Sequence, residues 1–240
     1  MFRHSDAGKC QRYLWWEYTK TPQSNPPDVA SAFVMWLGTT LHEELQRALL
    51  ERYPAAKVEV PVQIDVDGHP GLSSGHLDAV VRLEDGTKVC YELKTRGSFG
   101  FDKAVGWRRK SWSVDMPEGP SASDRLQGAL NAVAVDADLL VIGMIGLESA
   151  SKGFADKHGI SEVDRICAEW HFTKAEFGPW AESELKRLST LADVLEAGAV
   201  PAKTAIGDEM EEIKLDPHSS RPPWQCQYCS HFDDCKGETA

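Results

Sequence analysis

Gly75-His76-Leu77-Asp78-Ala79-Val80-Val81-Arg82-Leu83-Glu84-Asp85-Gly86-Thr87-Lys88-Val89-Cys90-Tyr91-Glu92-Leu93-Lys94-Thr95 is the stretch whose reading decides the fold. Two alternating runs, Gly75–Leu83 and Thr87–Thr95, meet at Glu84-Asp85-Gly86, the pattern of a β-hairpin. Side chains alternate across a strand, so Val89, Tyr91 and Leu93 point one way while Cys90, Glu92 and Lys94 point the other. In the first run Leu77, Ala79, Val81 and Leu83 form the apolar face and leave Asp78 opposite.

The turn sets what Asp78 meets. A two-residue Asp85-Gly86 loop places it across from Leu93. A three-residue Glu84-Asp85-Gly86 loop, with Gly86 left-handed, pairs Leu83 with Thr87 and therefore Asp78 with Glu92. Paired residues have Cβ atoms about 4.5–5.5 Å apart, and two carboxylates that close repel unless a cation lies between them. Oxygen ligands with one lysine nearby suit Mg²⁺ or Mn²⁺ and not zinc. Such an ion can polarise a phosphodiester and lower the pKa of water, while Lys94 orients or deprotonates that water. The plainer reading is a solvated strand face with a Glu–Lys pair; apolar residues on both sides of Val-Cys-Tyr-Glu-Leu-Lys argue for a central strand instead.

Outward from the hairpin, Ser5 caps a helix running through Cys10 to about Tyr18, and Pro26-Pro27 follows as a break. Ala30 to about Tyr53 reads as a long amphipathic helix with Phe33, Leu37, Leu41, Leu45 and Leu49 on its buried side. His42 lies on the same inward line, as a core histidine or a metal ligand. Val58–Val66 is strand-like. Arg96–Ser121 reads as a long loop, followed by a helix over Ala122–Val135 that carries Gln127. Strands near Leu139–Leu147 and Ile166–Phe172 and a helix over about Ala175–Ala197 complete an α/β pattern.

At 240 residues the chain suits one large domain. The first ten residues lack the apolar core of a secretory signal and the longest apolar run is strand-length, so a cytoplasmic location is expected. There, six cysteines point to metal before disulfides. Cys226, Cys229 and Cys235 form a Cys-x2-Cys-x5-Cys tail, and Cys10 supplies a fourth thiol, a set able to collect tetrahedral zinc or an iron–sulfur cluster. That site would clasp residues 1–20 to residues 222–240. Cys90 and Cys167 fall in strands and read as buried free thiols. Asp208, Glu209, Glu211 and Glu212 read as a solvated linker. His4, His69, His158, His218 and His231 carry no usable signal.

The net charge of −11 argues against general nucleic-acid coating. Within it, Arg96, Lys103, Arg108, Arg109 and Lys110 face only Asp102, a basic island in an acidic chain. Trp107 and Trp112 interleave with these cations, a pattern that pairs phosphates and stacks exposed bases, or else packs its tryptophans on the body.

An inward His42, then Gly75-His76-Leu77-Asp78, Glu92-Leu93-Lys94 and a helical Gln127 resemble the RecB-like branch of the PD-(D/E)XK nucleases. With Cys10 and the terminal Cys-x2-Cys-x5-Cys, the chain resembles the CRISPR-associated RecB-like exonucleases and their phage-encoded relatives, from Cys10 to Cys235. The resemblance implies a restriction-endonuclease-like mixed sheet flanked by helices. It implies that His42, Asp78, Glu92 and the Leu93 carbonyl bind Mg²⁺ or Mn²⁺, that Lys94 is catalytic with Gln127 beside it, and that Cys10, Cys226, Cys229 and Cys235 hold a [4Fe-4S] cluster. The expected activity is an exonuclease on single-stranded DNA ends, in recombination, phage replication or CRISPR spacer processing. The alternatives are a DNA-end-binding module acting with a partner helicase or integrase, and a zinc-clasped nuclease. One departure stands out: where the family's Gln motif has a tyrosine four residues on, this chain has Asn131.

Overall fold

The computed structural model describes residues 2–203, 226 and 229–237. The elements are β1 (Phe2–Arg3), α1 (Gln11–Tyr18), α2 (Val29–Arg52), β2 (Lys57–Val66), β3 (His69–Arg82), β4 (Lys88–Arg96), α3 (Ser98–Val105), β5 (Trp107–Arg108), β6 (Ser113–Val114), α4 (Ala122–Ala134), β7 (Leu139–Gly146), α5 (Lys152–His158), β8 (Cys167–Thr173), α6 (Lys174–Glu196) and α7 (Phe232–Gly237).

The hairpin takes the three-residue turn. Leu83 and Thr87 bond across it, Gly86 holds φ 91°, and the ladder runs Arg82–Lys88, Val81–Val89, Val80–Cys90, Ala79–Tyr91. Only glycine enters that left-handed region without a Cβ penalty. β4 then pairs in parallel with β7, which pairs antiparallel with β8, so β4 is central as its apolar flanks require.

β3 is long enough to serve three partners. β2 runs antiparallel along one edge, from His69 to Val80. The other edge is shared: β1 pairs in parallel with Ser73 and Ser74, and β4 takes Ala79 to Arg82. Gly75–Asp78 lies in the gap between them, where the sheet forks.

Helices cover both faces. Val81, Val89 and Val141 pack with Leu49 of α2, while Cys90, Leu140 and Ile142 pack with α4 and α6 through Ala129, Leu130, Phe177 and Leu188. Burying a side chain of this size contributes about 1.5–3 kcal/mol, so these two interfaces dominate the stability of the sheet. Ser121 caps α4 with its hydroxyl and Asp124 returns the bond, a reciprocal cap that fixes where the helix begins.

Several expected boundaries change. Ser5 lies in a 3-10 turn (His4–Asp6), and Cys10 precedes α1. Phe33 is not buried: it is 57% exposed, beside exposed Val34, Met35 and Trp36, because α2 meets the sheet only from about Gly38, whose missing Cβ would lie 3.2 Å from Thr95 Oγ1. Residues 96–121 are not a bare loop but contain α3 and the β5–β6 ribbon, built around buried Phe101, Trp107 and Phe154. Helix α5 was not anticipated. Cys167 is only partly buried, at the end of β8. The acidic cluster at residues 208–212 and His218 lie outside the described residues.

The expected metal clasp is a correction. Among the described residues, no three His, Cys, Asp or Glu side chains come together to hold a metal ion, and all six cysteines are free thiols. Cys10, Cys229 and Cys235 are near enough to Cys226 for their charges to be felt there. Burial, reinforced by those neighbours, pushes the Cys226 thiol up to about 11. The tail is instead held by ordinary contacts. His231, fully buried, packs on Trp16 and Tyr13 and lies 3.1 Å from Glu17 Oε1. The Asn25 side chain donates to the Cys229 carbonyl, and Lys203 donates to that of Cys235.

Candidate active site

The site is a strand and a helix zipped together by polar side chains. Along β4, Glu92, Lys94 and Arg96 recur every second residue and so share one face. Along α4, Asp124, Gln127 and Asn131 recur at three and four residues and so share one stripe. Each rung is a direct contact. Arg96 donates to Asp124 at 2.5 Å, Lys94 to Gln127 at 2.9 Å, and Asn131 Nδ2 to Glu92 Oε2 at 2.7 Å. Lys94 also donates to Glu92 Oε1 at 2.6 Å.

Asp78 enters from the fork. Past the last ladder pair its carboxylate replaces a backbone acceptor, Oδ2 taking the Leu93 N–H at 2.7 Å. Oδ1 stands 3.4 Å from His42 Nδ1, and Gln46 of the same helix donates to the Asp78 carbonyl. His42, Asp78 and the Leu93 N–H thus form one set of direct contacts and Glu92, Lys94 and Gln127 another, the two joined along the β4 backbone.

The electrostatics follow from burial. Glu92 is 1% exposed, and burial raises its pKa; Lys94 opposes that rise and Asp78 adds to it. Burial disfavours the Lys94 ammonium, but Glu92, Asp124 and Asp78 outweigh it and push the pKa up, so the lysine stays charged. Among the described residues His42, Asp78 and Glu92 do not close into a three-ligand set; each Glu92 oxygen accepts one hydrogen bond, from Lys94 or Asn131, and one Asp78 oxygen accepts from Leu93.

The basic segment is largely neutralised from within. Lys103 pairs with Glu118 at 3.1 Å, Arg108 with Asp115 at 2.8 Å, and Arg109 with Asp102 at 2.7 Å. Arg96 serves the strand–helix zipper. Trp107 is 5% exposed and forms part of a core with Phe101 and Phe154, so it offers no stacking face. Lys110 is exposed, and Trp112 is half exposed against Phe154. The acidic partners at Asp115 and Glu118 lie just beyond the segment whose charges define the island.

Sequence reasoning missed Asp124 and His4 and saw Asn131 only as a departure. The signal for the first was present: Asp124, Gln127 and Asn131 fall on one helical stripe, the match for a strand bearing Glu92, Lys94 and Arg96. His4 carried none, because its place depends on β1 pairing with β3.

No protein-family model and no curated protein matches this sequence. Among solved structures, the crystal structure of SSO0001 aligns with a TM-score of 0.56 at 19% identity, over 100% of this chain and 87% of that one. A phage-related exonuclease from Haemophilus somnus 129PT gives 0.47 at 12% identity, over 78% of this chain and 81% of that one. An alkaline exonuclease from Laribacter hongkongensis gives 0.43 at 11%, over 78% and 82%. The expected membership of a CRISPR-associated iron–sulfur exonuclease family does not hold, since the described residues gather no metal-holding cysteine group and no family model matches. The likeness to SSO0001 is one of fold: a mixed sheet flanked by helices over the length of the chain.

Proposed function

We propose that this protein is a divalent-metal-dependent deoxyribonuclease of the RecB-like PD-(D/E)XK type, acting as an exonuclease on single-stranded DNA ends. The observation that carries the reading is the meeting of Asp78, Glu92 and Lys94 at the fork of the sheet, with Lys94 held between Glu92 and Gln127.

The donor types, two carboxylates beside one imidazole, suit a hard cation, although the three side chains are not gathered around one point here. Two carboxylates stand close enough for Asp78 to raise the pKa of Glu92, a repulsion that Mg²⁺ or Mn²⁺ would relieve, and His42 stands beside the outer Asp78 oxygen. When bound there, the ion would polarise a phosphodiester and acidify an attacking water. Asp78, Glu92, His42 and the Leu93 carbonyl would hold it. Lys94 orients the nucleophile with its ammonium and offsets charge developing on the phosphate, and Gln127 fixes that ammonium. Lys110 and Trp112, exposed on the segment after β4, are the groups of the basic island left to meet a strand. The burial of Glu92 and Lys94 makes the interactions of those two groups stronger than they would be in water.

Digestion of end-labelled linear and circular single strands tests the reading. Nucleotide release from linear DNA that requires Mg²⁺ or Mn²⁺, with circles left intact, is the expected result. Absence of metal-dependent release refutes the nuclease, and equal cutting of circles refutes its exonucleolytic mode.

A further inference from the structure

Asn131 sits where a tyrosine is expected, and it binds the central carboxylate. Behind it lies His4, 1% exposed, whose Nδ1 stands 2.6 Å from Asn131 Oδ1. His4 follows directly from β1, which pairs with Ser73 and Ser74 of β3, so the first strand delivers the imidazole to the fork. The place is made for it. A Cβ at Gly75 would lie 3.0 Å from both Cβ and Cγ of His4 and 3.1 Å from Nδ1, so any larger residue there would press on the ring.

The direction of the hydrogen bonds is determined. An ionised carboxylate only accepts, so Asn131 must present its NH₂ group to Glu92 Oε2. Its carbonyl oxygen then faces His4, and Nδ1 must carry the proton. The other ring nitrogen, Nε2, is buried without a partner among the described residues. Leaving a buried acceptor unmatched is unfavourable by about 1–3 kcal/mol, so the arrangement retains a local defect and keeps the ring's donor aimed at Asn131. Burial also lowers the pKa of His4, outweighing the Asn131 bond that raises it, in keeping with a neutral ring.

We propose that His4 and Asn131 are positioning residues: the His4 Nδ1–H locks the Asn131 amide, and the locked amide fixes the Glu92 carboxylate in the orientation that receives the divalent cation. This rests on the reading of Glu92 as a metal ligand. Without His4, Asn131 still donates to Glu92 but its amide loses the anchor on Oδ1, and the carboxylate it holds is less tightly oriented.

The first measurement needs no metal and no substrate. Nitrogen-15 NMR of the imidazoles in the metal-free full chain should show His4 protonated on Nδ1, and protonation on Nε2 alone overturns the proposal. The second is titration calorimetry with Mn²⁺ alone, on wild type, Asn131→Leu, His4→Phe and His4→Asn. Residues behind metal ligands typically change metal affinity about 10–100-fold, so Asn131→Leu and His4→Phe should bind Mn²⁺ more weakly by that factor. His4→Asn places an amide NH₂ where Nδ1 stood and should recover most of the loss. A packing role alone would lower the melting temperature of His4→Phe and leave Mn²⁺ affinity unchanged, or leave His4→Asn no better than His4→Phe; either result overturns the proposal. Wild type that binds no Mn²⁺ refutes the metal reading and the positioning role with it, whereas wild-type binding matched by all three variants refutes the positioning role alone.

Discussion

Replacing Lys94 by Met removes the ammonium that bridges Glu92 and Gln127 while nearly keeping the volume of the side chain. The Glu92 side chain is 2% exposed, so the charge left behind has no route to water. Breaking a buried pair by removing one partner costs about 3–5 kcal/mol. Glu92 keeps its 2.7 Å bond from Asn131, which places the expected loss near the lower end, about 3 kcal/mol. At about 2–4 °C per kcal/mol for a chain of this size, the melting temperature should fall by roughly 6–12 °C. Adding Glu92→Gln should recover most of the loss, because the orphaned charge is then gone.

The pH dependence has a definite sign. Burial holds the Glu92 pKa above its unfolded value, and removing Lys94 takes away the main influence that lowers it. The folded state therefore binds the extra proton, and stability falls as pH rises from the ordinary carboxylate range through the folded pKa. The deficit of Lys94→Met against wild type should accordingly shrink as pH is lowered toward that range. Urea unfolding followed by circular dichroism in EDTA, at several pH values, measures all of this. A loss below about 1 kcal/mol, the scale of a surface pair, or strictly additive effects in the double variant, refutes the claim that Lys94 is the buried countercharge of Glu92.

Two further outcomes follow from the packing. Glu184→Ala leaves buried Arg187 without its 2.6 and 2.7 Å bonds and frees the Gly8 N–H, so stability should drop by about 3–5 kcal/mol, with hydrogen exchange at Gly8 accelerated. Gly106 holds φ 78°, and a Cβ there would lie 2.4 Å from the Asp115 carbonyl oxygen. Gly106→Ala should therefore cost more than the about 1–2 kcal/mol of left-handed strain, and amide exchange should show the β5–β6 ribbon losing protection first.

The central hairpin and the face that carries the candidate residues were legible because each rests on a short-range regularity. The alternation of Gly75–Thr95 gave the hairpin and left two turns open; the three-residue one forms and brings Asp78 toward Glu92. The apolar flanks of Glu92 placed β4 at the centre. What failed depended on partners distant in sequence. His4 reaches the site through a two-residue parallel strand with no periodic signal of its own. Phe33 fits a buried stripe but lies on a part of α2 that the sheet does not reach. Arg108 and Arg109 read as free cations because Asp115 and the main chain around Glu148 and Ser149, which receive them, lie outside the basic run. The cysteine spacing suited a metal, but among the described residues the cysteines do not gather as a ligand group, and the contacts of His231 seat the tail beside α1.

The most direct test of the central claim is the rate of Mn²⁺-dependent nucleotide release from end-labelled single-stranded DNA by wild type, Asp78→Asn and Lys94→Ala, each with its Mn²⁺ binding measured in parallel. Wild type should cleave. Asp78→Asn should lose both Mn²⁺ binding and cleavage, and Lys94→Ala should retain Mn²⁺ binding but cleave about 10²–10³-fold more slowly, the range for losing one preorganised donor to developing charge. Cleavage by either variant at the wild-type rate, in a preparation free of host nuclease, would contradict the assignment of the sheet fork as the active site.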